Sequence, residues 1–165
     1  MSGEIVITDI ARLQEGYSAG RFTPLDVIEE VIHRIEAAGD DHVWILRRSR
    51  EEMTRRAVEL HKQNAAVAKL PLYGVPFAVK DNMDVEGLPT TAGCPNYSYV
   101  AKRTATVVQR LLDAGGILVG KTNLDQFATG LTGARSPYGV PKNPYDKSYI
   151  PVDRVLVLQW PWPAG

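Results

Sequence analysis

Apolar residues in the first third of the chain recur at helical spacing. Ile10, Leu13 and Tyr17 fall on one face behind Thr8-Asp9, which can cap a helix, and Gly20 is a stop signal. A second helix has a fuller set of signals. Thr23 stands at the N-cap, Pro24 at the first helical position and Asp26 in the first turn, where a carboxylate complements the helix dipole. Leu25, Ile28, Val31, Ile32 and Ile35 form its apolar stripe, and Gly39-Asp40-Asp41 ends it. His42 to Leu46 reads as a short strand. Ser49 to Asn64 predicts a third helix with Met53, Ala57 and Leu60 inward, and Arg47, Arg48, Arg50, Arg55 and Arg56 are assigned to a solvated face. Ala65 to Leu72 reads as a linker.

The period then changes. The run from Gly74 to Val79, with β-branched and aromatic residues between turn-formers, predicts a buried strand that ends in Lys80-Asp81-Asn82. Residues 83–95 carry Gly, Pro and hydroxyls without a period and are expected to be loop. Thr104 or Thr106 is expected to cap a helix bearing Val107, Val108, Leu111 and Leu112. Gly115-Gly116 stop it, and Ile117-Leu118-Val119-Gly120 reads as a second buried strand. Helix, tight glycine turn and apolar strand make an α/β unit. Thr122 or Asn123 is expected to cap a short helix through Leu124, Phe127 and Ala128, followed by the Gly/Thr loop Thr129 to Gly133.

Composition narrows the function classes. The chain has 165 residues, 19 Lys+Arg against 19 Asp+Glu, and no basic stripe that would point to nucleic acid. No apolar run is long enough to cross a bilayer, and the N-terminus lacks the pattern of a signal peptide, so a cytoplasmic location is expected. The single cysteine, Cys94, allows no internal disulfide. His33, His42 and His61 are isolated, so neither a metal site nor a cofactor is expected. Gly120-Lys121-Thr122 resembles the end of a phosphate-binding loop but lacks the earlier glycine. Lys80 stands out. A lysine where a strand leaves the core is costly to bury unless paired or neutral, and otherwise snorkels to solvent.

Several pieces in one order carry a resemblance: Gly74-Val75-Pro76-Phe77-Ala78-Val79-Lys80-Asp81-Asn82, Thr90-Thr91, Ala105-Thr106-Val107-Val108, Ala114-Gly115-Gly116-Ile117, Gly120-Lys121-Thr122-Asn123 and Asp125-Gln126-Phe127-Ala128. From about Pro71 to Ile150 the chain resembles the amidase-signature family. Asp40 to Ile45, Pro71 to Phe77, Leu124 to Leu131 and Arg135 to Gly139 look most like its allophanate hydrolase branch. The amidase subunit that makes ammonia for tRNA-bound glutamate is the alternative within the family, and a non-catalytic remnant the alternative outside it.

The resemblance implies an α/β fold, the N-terminal and incomplete portion of an α/β/α sandwich around a mixed sheet. It implies a Ser–Ser–Lys triad in which Lys80 is the base, acting through a bridging serine on a nucleophilic serine. It also implies a pocket wall at Thr129, Gly130 and Leu131, a small-molecule amide substrate (allophanate, cleaved to ammonia and carbon dioxide), and a urea carboxylase partner. The physics is coherent, since a lysine is a base near neutral pH only where desolvation favours its neutral form. A serine needs such a base to become a nucleophile.

The tail departs from the family. Both triad serines are expected in and beyond a Gly-Gly-Ser-Ser-Ser-Gly-Ser-Ala-Val-Ala-Val-Ala stretch after Ile150, whereas the chain reads Pro151-Val152-Asp153-Arg154-Val155-Leu156-Val157-Leu158-Gln159-Trp160-Pro161-Trp162-Pro163. If one base is restored after the Pro151 codon, every shifted codon permits the family residue. Each Trp-Pro pair then forces an alanine, because TGG-CCN contains GCC in the new frame. Residues 1–150 are therefore expected to be the first part of an amidase domain and 151–165 an out-of-frame tail. The truncated chain is expected to lack the triad serines and to be inactive and poorly soluble, with open sheet edges and Lys80 exposed to solvent.

Overall fold

The computed structural model describes residues 5, 7, 9–62, 70–143, 146, 148 and 149, together with the backbone pair Leu156–Val157. Helix α1 (Ile10–Ser18) starts at Asp9, whose carboxylate accepts the N–H groups of Ala11 and Arg12. Helix α2 (Pro24–Ala38) opens on a reciprocal capping box, with Thr23 Oγ1 accepting from Asp26 N and Asp26 accepting from Thr23 N, and ends at Gly39 with φ of 65°. Its buried face is Val27, Ile28, Val31, Ile32 and Ile35. Leu25 lies at the margin and Val27 takes its place on the stripe. Helix α3 (Arg50–Lys62) begins after Ser49, which exchanges bonds with Glu52, and turns Met53, Ala57 and Leu60 inward as expected.

Strands β1 (Trp44–Arg47), β2 (Pro76–Lys80), β5 (Ile117–Thr122) and β6 (Leu156–Val157) form one sheet in the order β1-β5-β2-β6. β2 and β5 are parallel; β1 and β6 run antiparallel to their neighbours. The connection between the parallel strands β2 and β5 passes through helix α4 (Thr106–Asp113). Ile117 and Val119 pack with α1, α2 and α3 on one face. Leu118, Phe77 and Val79 pack with Val108 of α4 on the other. The sheet is thus mixed and covered by helices on both faces, the expected α/β/α layering. Tyr17 ties α1 to the start of β2, its hydroxyl donating to Gly74 O at 2.9 Å, and burial raises that hydroxyl's pKa.

Three local expectations are corrected. Residues 83–95 are not all loop: β3 (Pro89–Thr90) pairs with β4 (Tyr99–Val100) in a small antiparallel hairpin. Neither Thr104 nor Thr106 caps α4, since Ala105 is the N-cap and Thr104 Oγ1 accepts from Glu86 N. After Asn123 there is only a 3₁₀ turn at Gln126–Ala128, because Asn123 and Asp125 direct their side chains to other loops. Residues 65–69 of the expected linker, and most of the tail beyond Ile150, lie outside the described residues.

Candidate active site

Among the described residues, the buried polar and charged side chains are Lys80, Asp81, Thr90, Thr91, Lys121, Thr122, Asn123 and Asp125. They gather where the parallel strands β2 and β5 end, with the loop that carries Thr90 and Thr91 folded over them. In open α/β sheets this carboxyl end is where ligands bind.

Lys80 is the last residue of β2, opposite Thr122 of β5, and only 5% exposed. The expectation that a truncated chain leaves this lysine to solvent is therefore corrected: Lys80 is buried in the folded chain. Alternation along β2 puts Phe77 and Val79 on the α4 face and Lys80, with Ala78, on the other.

Lys121 lies on the opposite side of the sheet, and a bulge is the reason. Phe77 pairs with Leu118 but Ala78 with Gly120, so Val119 is an extra residue in β5. That insertion reverses the alternation beyond it. Gly120 turns the side where a Cβ would stand toward the Trp44 ring and Leu46 O, and any side chain there would collide with both. Lys121 is then aimed at the β3 loop. Its ammonium sits 2.8 Å from Asp81 Oδ1 and donates to Pro89 O at 2.7 Å and Thr90 Oγ1 at 2.8 Å. Neither Lys121 nor Asp81 is exposed. Asp81 Oδ2 accepts from both the N–H and the hydroxyl of Thr91. The lysine of the phosphate-loop-like segment is thus a buried ion-pair partner.

The Gly/Thr loop is built around Asp125. Its Oδ2 accepts from Thr132 N and Gly133 N at 3.0 Å each, and its Oδ1 from Arg135 N at 2.7 Å. Burial alone would raise this carboxyl's pKa; the three backbone donors outweigh it and hold the group below the usual carboxylate range. Gly130 is pressed against it, since a Cβ there would collide with Asp125 Oδ2. Thr129 and Leu131 are exposed. The Thr129 hydroxyl donates to Gln126 O, which ties the segment to its own turn. Asn123 fastens the outer wall, donating to His42 O and Gly139 O. Sequence reasoning missed Asp81, Lys121, Asn123 and Asp125 as the frame of the site. The signal that could have found them is a charged or amide residue at the end of each apolar strand, where burial demands a partner.

Among the described residues no group of His, Cys, Asp or Glu could hold a metal ion, and no helix is long and apolar enough to cross a membrane.

A mixed sheet under two helical layers is an architecture the chain shares with a solved amidase, with a TM-score of 0.74 at 30% identity over 87% of this chain and 33% of that one. The family model described as Amidase matches residues 26–151, and the chain belongs to that family. Within it, the chain is 46% identical over 126 residues to the urea amidolyase of Saccharomyces cerevisiae, covering 76% of this chain and 7% of that protein. It is 38% identical over 144 residues to a subunit of the glutamyl-tRNA(Gln) amidotransferase of Prochlorococcus marinus, covering 86% of this chain and 30% of the relative. Among solved structures, the allophanate hydrolase of Kluyveromyces lactis superposes with a TM-score of 0.74 at 38% identity, over 89% of this chain and 24% of that one. The chain thus spans about a third or less of each of these relatives.

Proposed function

We propose that this chain is the lysine-bearing first segment of an amide hydrolase of the allophanate type, with Lys80 as its base. The observation that carries the reading is the burial of Lys80 at the carboxyl end of β2. Burial keeps this amine out of bulk water at the end of the sheet where ligands bind. In the intact enzyme this amine takes a proton through the bridging serine from the nucleophilic serine as its oxygen adds to the amide carbonyl. The proton returns to the leaving nitrogen, ammonia departs, and water releases the acyl group. Thr129, Gly130 and Leu131 form part of the substrate wall in this reading, and a urea carboxylase supplies the substrate.

We further propose that a single-base deletion after the Pro151 codon has replaced the serine-bearing stretch by the present tail, so that the 165-residue chain has no triad nucleophile. The support is the shifted reading frame; the nucleotide sequence around codon 151 tests it. A shifted frame without Gly-Gly-Ser-Ser-Ser-Gly-Ser ends the proposal.

Ammonia release tests the function. The 165-residue chain is expected to release none from allophanate. The frame-restored enzyme is expected to release it and to lose on the order of 10²–10⁴-fold in rate on Lys80→Ala. Unchanged turnover in that variant removes Lys80 from the chemistry. The similarity to an amidotransferase subunit supports a second reading, hydrolysis of glutamine for transfer to tRNA-bound glutamate. Preference of the restored enzyme for glutamine over allophanate would select it.

A further inference from the structure

The strand-end site contains a second buried lysine that the proposed reaction does not use. The Lys121 ammonium is ion-paired to the Asp81 carboxylate and donates to Pro89 O and Thr90 Oγ1, all on or beside the segment from Asp81 to Thr90. One side chain of β5 thus closes the whole excursion from the end of β2 to β3. Asp81 extends the linkage. Its Oδ2 takes Thr91 N–H and hydroxyl, and its backbone O takes Ala92 N at 3.1 Å. Ala92 is held at φ of 51°, and its own carbonyl accepts Phe127 N at 2.8 Å. Phe127 and Ala128 have φ of 53° and 56°. Gly93, beside Ala92, is so close to the same turn that a Cβ would stand 3.0 Å from Leu124 O.

Three non-glycine residues in the left-handed region therefore lie along one continuous path from Lys121 to the turn that leads into Thr129, Gly130 and Leu131. Such conformations persist only where the surroundings over-determine them. A buried ammonium on a central strand, ion-paired to Asp81, is the rigid end of that path; beside the backbone bond from Asp81 N to Thr122 O, it is the side-chain link between Asp81 and β5 among the described bonds.

We propose that Lys121 is a positioning residue. It pins Asp81, and so the end of β2 that carries Lys80, and through Thr91 and Ala92 it sets the Gln126–Ala128 turn that presents residues 129–131. The catalytic part of this rests on the reading of Lys80 as the base; the mechanical part does not.

The chain has three phenylalanines, and they report separately: Phe22 on the α1–α3 layer, Phe77 on the α4 layer and Phe127 on the turn. Phe127 is half exposed and meets Tyr97 edge-on, with ring centroids 5.4 Å apart, so its ring environment depends on where the turn lies. The test is fluorine NMR of the 165-residue chain labelled with fluorophenylalanine. Lys121→Met paired with Asp81→Asn removes both charges together, and Thr91→Val takes the hydroxyl out of the path without leaving a buried charge unpaired. In both, the Phe127 line is expected to shift or broaden while the Phe22 line stays in place. A Phe127 line unmoved in both variants overturns the proposal, as does an equal disturbance of Phe22 and Phe127, which would mark a general loss of packing. In the frame-restored enzyme the double variant is expected to lower kcat at least tenfold more than it raises KM. An unchanged kcat overturns the catalytic part. If Lys80→Ala leaves turnover intact, the base reading fails while the fluorine result stands on its own.

Discussion

The α1–α3 layer and the strand-end site are built by opposite means. In the layer, buried side chains are apolar: Leu13, Val27, Ile28, Met53, Ala57 and Leu60 touch one another and the Ile117 and Val119 side of β5. Most of its polar groups sit at helix ends, as at Asp9 and Thr23, or at the surface, as where Arg50 bridges Glu29 and Glu36, with the buried Tyr17 hydroxyl on Gly74 O an exception. In the site, the buried residues are charged or polar, and several are held by partners outside their own turn: Lys121 by Asp81, Asp125 by residues 132–135, Asn123 by His42 and Gly139. Apolar packing is non-directional and tolerates modest change. Buried polar pairs are directional, and losing one partner leaves the other desolvated and unpaired. The site is the part of the molecule where a small change has a specific consequence.

The largest expected effect sharpens the contrast from the apolar side. Leu13→Ala empties a fully buried position in the α1–α3 core and should cost about 3 kcal/mol, read by denaturant unfolding, with the cost falling on the whole domain. A loss confined to α1, with the sheet still protected in hydrogen exchange, would show that the layer and the site are separate cooperative units.

Asp125→Asn probes the polar side. The carboxylate accepts three backbone N–H groups, and hydrogen bonds to a charged group contribute about 1.5–3 kcal/mol each at most, so a loss of about 2 kcal/mol is expected at neutral pH. The sign of the pH dependence follows from the lowered pKa. A carboxyl depressed in the folded state contributes its full stability above the ordinary carboxylate range and loses it as the pH falls toward the depressed value. Melting temperatures of the parent and of Asp125→Asn should therefore converge on acidification. A constant gap would mean that shape rather than charge holds the loop.

Thr23→Ala is the smallest change. It removes one side of the α2 capping box and should cost about 1 kcal/mol, with no effect on the Phe127 environment. An altered Phe127 signal in that variant would break the separation between layer and site.

Particular residues show why the two regions are unequally legible. Thr23-Pro24-Asp26 announces its helix because every interaction in the capping box lies within one turn. Ile117 to Gly120 announces a buried strand by composition alone. The short helix expected after Asn123 fails because the Asn123 side chain, one of the expected caps, is taken by His42 and Gly139 instead, and Asp125 is taken by the 132–135 backbone. Pro89–Thr90 is hidden in an aperiodic stretch because a strand of two residues shows no alternation.

By itself the sequence determined the helices of the first layer, the two parallel strands, the family to which the chain belongs and the singular position of Lys80, all of which rest on spacing within a few residues or on motifs in order. Only the tertiary structure decided which face of the sheet each lysine occupies. One extra residue, Val119, reverses the alternation of β5 and sends Lys121 to Asp81 on the side away from Lys80. A one-residue slip leaves almost no trace in composition, because its consequence appears only when a neighbouring strand supplies the register against which it is measured.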